Sequence, residues 1–135
     1  MASIYEMKSA AKIQYLVLMV TTLLLGLISR KISVIPPICG DVLYAMMVYW
    51  LSRLIFIKKS LFSYCIITIL FCFTIEFLQL VQLPLFLWIR SNSLLRLVFG
   101  QGFLWSDLGA YCLGALGAAF LDYLKDHLLK TDPAL

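Results

Sequence analysis

The chain has 135 residues, of which 63% are hydrophobic and 13% charged, with a mean hydropathy of +0.98. A soluble domain of this length carries roughly twice that charge fraction, and several apolar runs approach the roughly 17–25 residues that cross a bilayer; composition therefore predicts a polytopic membrane protein. The net charge of +4 is accounted for by basic residues flanking the apolar runs, and with no Lys/Arg run of nucleic-acid type, no nucleic-acid partner is expected.

The length fits one domain over residues 1–135. A short polar head with Glu6, Lys8 and Lys12 leads into a first span over about 12–29. No A-x-A cleavage site follows it, and Arg30-Lys31 reads as a stop, so the segment is expected to be retained as a helix. In the loop 30–40, Pro36-Pro37 and Gly40 block helix continuation. Asp41 opens a second span over about 41–57, with Arg53 one turn from its end and free to snorkel outward. A basic turn at Lys58-Lys59 precedes a third span over about 61–83, ended by Pro84. Residues 84–106 alternate apolar side chains with Arg90, Ser91, Asn92, Ser93 and Arg96, which predicts an interfacial or re-entrant helix, ended by Gly100 and Gly102. A fourth span covers about 107–124. In the tail beyond it, the spacing of Asp122–Lys125 and Asp126–Lys130 reads as a solvated helix end. The predicted fold is all-α, a bundle of four transmembrane helices.

Lys8, Lys12, Arg53, Lys58, Lys59, Lys125 and Lys130 fall on one side of that topology, and Arg30, Lys31, Arg90 and Arg96 on the other. This bias places both termini in the cytoplasm of a multi-pass plasma (inner) membrane protein. The four cysteines, Cys39, Cys65, Cys72 and Cys112, form no C-x-x-C, and the single histidine, His127, is in the tail. No Cys/His metal site and no cofactor are expected, and the thiols read as small apolar side chains.

The polar residues that remain gather at one end. Glu76 lies about 22 Å along the third span at roughly 1.5 Å per residue, in the outer half of a core about 30 Å thick. Gln79 shares its face, and Gln82 follows nearer the surface. Asp41 and Asp107 each start a span on the same side, where helix capping is the plain reading. Tyr111 and Gly114 follow Asp107 on one face. An ionised carboxylate facing lipid costs several kcal/mol, so Glu76 is expected to face the bundle and pair with Arg90 or Arg96. A buried structural pair and a ligand site are both consistent with that. Ala110, Gly114 and Ala118 form a small-xxx-small stripe suited to close helix packing.

E-x-x-Q at Glu76/Gln79, Arg90, L-x-x-G-x-G-F-x-W-x-D from Leu97 to Asp107, Tyr111 and Gly114, together with P-x-x-G-D-x-L-Y-A from Pro37 to Ala45, resemble the small bacterial membrane proteins called domain of unknown function 2809. The resemblance covers nearly the whole chain from the first span to the fourth, and that family brings no established activity. More distantly, the order E-x-x-Q, Arg, Asp, Gly is similar to VanZ-like proteins, which are associated with glycopeptide (teicoplanin) resistance at the cell envelope. That similarity implies the outer face of the plasma membrane and envelope-lipid chemistry. The chain departs from the VanZ-like pattern at Tyr111, where an asparagine is expected.

Three functions follow from these residues, beside a purely structural or assembly role that the Ala110/Gly114/Ala118 stripe would serve. In the first, Glu76, Gln79, Arg90, Arg96, Asp107, Asp41 and Tyr111 bind a polar or anionic head group of an envelope lipid, a lipid-linked precursor or a glycopeptide-type ligand, since arginines suit phosphate and carboxylate. In the second, Glu76 or Asp107 performs acid–base chemistry on a lipid-linked substrate, although no nucleophile–base pair is present and no catalytic residue is assigned. In the third, an oligomer moves ions or protons. Membrane lipids are the expected partners, with a homo-oligomer left open.

Overall fold

The computed structural model describes residues 4–56, 59–81, 83–99 and 104–131. Among these residues six helices follow one another: α1 (Ile4–Lys31), α2 (Pro37–Ile55), α3 (Leu61–Leu78), α4 (Pro84–Ser91), α5 (Ser93–Phe99) and α6 (Trp105–Thr131). The described residues contain no strand. Segments Lys8–Lys31, Pro37–Ile55 and Leu61–Leu78 are long and apolar enough to cross a membrane, which is compatible with a membrane protein.

Local chemistry explains the helix ends. Pro37 sits at the start of α2, where its missing N–H costs nothing. Ser60 caps α3 by accepting the Ser63 N–H at 3.1 Å. Asn92 divides the segment between α3 and α6, its Oδ1 accepting the N–H groups of Leu94 and Leu95 at 3.0 and 3.3 Å. The single helix expected over 84–106 is therefore two short helices, α4 and α5. Two helix boundaries also shift. Helix α2 begins at Pro37, so Asp41 lies inside it and caps nothing. Helix α3 ends at Leu78 rather than near 83, because successive i→i+3 bonds from Gln79, Leu80 and Val81 tighten its last turn. Gln82, Gly100 and Gly102 lie outside the described residues.

Helix α2 is the hub. It packs on α1, α3 and α6, while α6 also packs on α3, and α4 packs on α5. Gly114 permits the α2–α6 approach: a Cβ there would run into the Val42 carbonyl oxygen and come within 2.7 Å of Ala45 Cβ. One buried cluster gathers Tyr15, Tyr49, Trp50, Tyr64 and Ala118, and a second gathers Ala45, Val48, Cys72 and Tyr111. Outward faces are apolar. On α1 these include Ile13, Val17, Leu24 and Ile28, and on α6 Leu113, Leu116 and Phe120.

Candidate functional site

Two polar assemblies occupy opposite ends of the bundle. The first is built on Glu76, in the last turn of α3 and 0% exposed. A carboxylate in such a place requires hydrogen-bond donors, and three reach it. Oε1 accepts the Leu104 backbone N–H at 3.0 Å. Oε2 accepts the Tyr111 hydroxyl at 2.9 Å and the Gln79 amide at 3.2 Å. Tyr111 arrives because it lies one turn beyond Asp107 on α6, on the buried face. The Leu104 N–H is available because it precedes the first residue of α6. Glu76 thus ties the end of α3 to the start of α6.

Asp107, in the first turn of α6, joins this assembly. Its carboxyl group is in side-chain contact with both Asp41 and Glu76. Asp41 in turn meets Arg30 at 3.4 Å, with side-chain exposures of 17% and 36% respectively. Arg30 also lies over Gly40, its Nε being 3.2 Å from where a Cβ would stand. Glu76, Gln79, Tyr111, Asp107 and Asp41 therefore form one continuous corner, closed by an arginine that sequence reasoning had used only as a flanking charge.

The expected Glu76–arginine pair is not formed. Arg90 turns its Nη2 to the carbonyl oxygens of Leu78 and Val81, at 2.9 and 3.1 Å. The Leu78 carbonyl closes α3 at the negative end of its dipole and also accepts the Val81 N–H, and the Val81 carbonyl lies three residues beyond, so a guanidinium is well placed there. Arg96, half-buried on α5, forms no ion pair with Glu76. Burial of Glu76 is compensated by neutral donors instead.

Beside the corner runs a groove of about 180 Å³ between α1 and α2. Leu23, Gly26, Leu27, Leu43 and Met47 line it, together with Thr22 and Tyr44, while Leu94 of α5 and Arg30 complete its wall. It is a mainly apolar groove with one arginine among its lining residues.

The second assembly was missed. Asp122 is 0% exposed, not solvated. Tyr49 donates its hydroxyl to Asp122 Oδ2 at 2.8 Å, and Arg53 donates through Nη2 to Oδ1 at 2.9 Å while its Nε lies 2.7 Å from Oδ2. Rather than snorkelling outward, the Arg53 guanidinium stacks between the Tyr15 and Tyr64 rings, 4.7 Å from each centroid. Lys125 donates to the Tyr15 hydroxyl at 2.9 Å. Helices α1, α2, α3 and α6 all contribute to this clasp. A charge inside each of two apolar runs was the available signal, but nothing local says that positions 53 and 122 meet.

The chain belongs to the family described as Protein of unknown function (DUF2809), whose pattern matches residues 30–115. The match includes Arg30, Asp41, Glu76, Asp107 and Tyr111, and stops short of Asp122. No solved structure matches the chain.

Proposed function

We propose that this is a multi-pass membrane protein that binds a lipid-type amphiphile, with its chain in the α1–α2 groove and an anionic head group on Arg30. In this reading α6 makes a fourth crossing over about 107–124, α4 and α5 lie at the outer interface, and both termini are cytoplasmic in a plasma membrane. The apolar outward face of α6 and the seven-to-four division of Lys and Arg support that placement.

The observation that carries the binding role is the groove itself. It is mainly apolar and has Arg30 in its wall, the combination an acyl chain with a phosphate or carboxylate head requires. Arg30 is partly exposed, and its contact with Asp41 is long at 3.4 Å, compared with about 2.7–2.9 Å for a strong charge-assisted bond. A head group therefore has little to displace. Arg30 takes the part expected of Arg90, which is committed to carbonyl groups. Glu76, Gln79 and Tyr111 form the supporting wall, and Asp41 and Asp107 face the head group. Acid–base catalysis by Glu76 is less well supported, because both its oxygens already hold donors.

Arg30→Ala is expected to weaken binding of short-chain phospholipid to the detergent-purified chain by about tenfold, one charge-assisted contact. Lys59→Ala, a charge removed at the opposite end, should leave it unchanged. Titration calorimetry reads both, and equal affinity in wild type and Arg30→Ala would rule the assignment out.

A further inference from the structure

We infer that the head group taken at this corner carries a primary ammonium beside its phosphate, as in phosphoethanolamine lipids; this rests on the lipid-binding reading above and narrows it. The starting point is a charge imbalance. Asp107 stands between Asp41 and Glu76, in side-chain contact with each. Arg30 is the cation beside them, 3.4 Å from Asp41. Glu76 is satisfied by three neutral donors, whereas Asp107 has no cation within ion-pair distance among the described residues. Two carboxylates in contact repel unless a proton or a cation lies between them. A ligand that supplies the cation relieves that repulsion.

The anionic end of the same ligand has its place on Arg30, which belongs both to this corner and to the apolar groove. One molecule with a chain, a phosphate and an ammonium therefore meets three adjoining surfaces in order: groove, guanidinium, carboxylates. The ammonium must carry hydrogens. Carboxylate oxygens accept hydrogen bonds, and Gln79, a residue 6% exposed whose amide nitrogen donates to Glu76, has a buried Oε1 with no donor among the described residues. A primary ammonium brings three N–H donors, and a quaternary one brings none. The groove selects the lipid over free phosphoethanolamine, because only the lipid has a chain to bury.

The test is titration of the full-length, detergent-purified chain with dioctanoyl phosphatidylethanolamine, phosphatidylcholine and phosphatidylglycerol, and with water-soluble phosphoethanolamine. Phosphatidylethanolamine should bind about tenfold more tightly than the other two lipids, the size of one charge-assisted contact, and phosphoethanolamine alone more weakly than its lipid. Asp107→Asn should bring phosphatidylethanolamine to the level of phosphatidylglycerol. Equal affinity for the three lipids in the wild-type chain, or a preference for phosphatidylglycerol, overturns the ammonium assignment while leaving lipid binding intact, and needs no variant to fold. Phosphoethanolamine binding as tightly as its lipid overturns the share given to the groove. Binding of none of the lipids removes the parent reading and this one together.

Discussion

Arg53 shows how a single residue changes meaning with its surroundings. An arginine near a span end usually sends its charge outward along a flexible stem. Here the stem stays in, because two tyrosine faces and a buried carboxylate offer more than the interface does. Removing one member leaves the other charge buried without compensation, a loss of about 3–5 kcal/mol. Asp122→Leu and Arg53→Met should each lower the unfolding temperature in detergent sharply, while the double variant Arg53→Met/Asp122→Leu should recover most of the loss. A double variant no better than either single one would show that charge balance is not what the pair supplies. Tyr49→Phe, which removes one donor from Asp122, should cost less, about 1–2 kcal/mol, in the same melting experiment.

At the scale of elements, the packing of α2 on α6 decides where the carboxylate corner lies. The two axes come close at Gly114, and that contact brings Asp107 and Tyr111 of α6 alongside Asp41 of α2 and Glu76 of α3. A methyl group at 114 has no room against the backbone of Val42. Gly114→Ala should therefore destabilise the chain by about 1–3 kcal/mol, as overpacking does. A Cβ at Gly117 meets nothing within 4 Å, so Gly117→Ala should be neutral or stabilise by up to about 1 kcal/mol through the helix preference for alanine. Parallel melting curves separate the two glycines, and equal effects would refute this account of the interface.

For the whole molecule, the two assemblies sit at opposite ends of the long helices, and the proposed topology assigns them to opposite membrane faces. Val34, 88% exposed in the α1–α2 connection, and Asn92 between α4 and α5 fall at the groove end. Ser60 and Leu128 fall at the clasp end. In a background with the four native cysteines replaced, a cysteine at 34 or 92 should react with membrane-impermeant maleimide in intact cells. One at 60 or 128 should react only after permeabilisation. Labelling at 92 and 128 from the same side would eliminate the fourth crossing, and reversal of all four would invert the topology.

The apolar character of the chain, its all-helical fold and its family membership were legible from residues alone, because each depends on local composition, run length or linear motif. So was the need of Glu76 for partners inside the bundle: a carboxylate in an apolar run must find them wherever the chain takes it. Its partners were not legible. Arg90 looked suitable by charge, yet from α4 its guanidinium turns to the carbonyl oxygens of Leu78 and Val81 at the end of α3. Asp122 and Lys125 matched a solvated helix end by spacing, and only the approach of α2 and α3 buried the aspartate.

What the amino-acid order determined by itself was which segments are apolar helices and which polar groups they must carry. Only the tertiary structure decided that Tyr111 and a backbone N–H compensate Glu76, that Arg30 lines the α1–α2 groove while Arg90 turns to carbonyl oxygens, and that Arg53 finds Asp122 across 69 positions. The physical reason is range. Helix formation and hydrophobicity act over a few neighbouring residues, whereas the burial of a charge is resolved by whichever donor the packing of distant helices brings within about 3 Å.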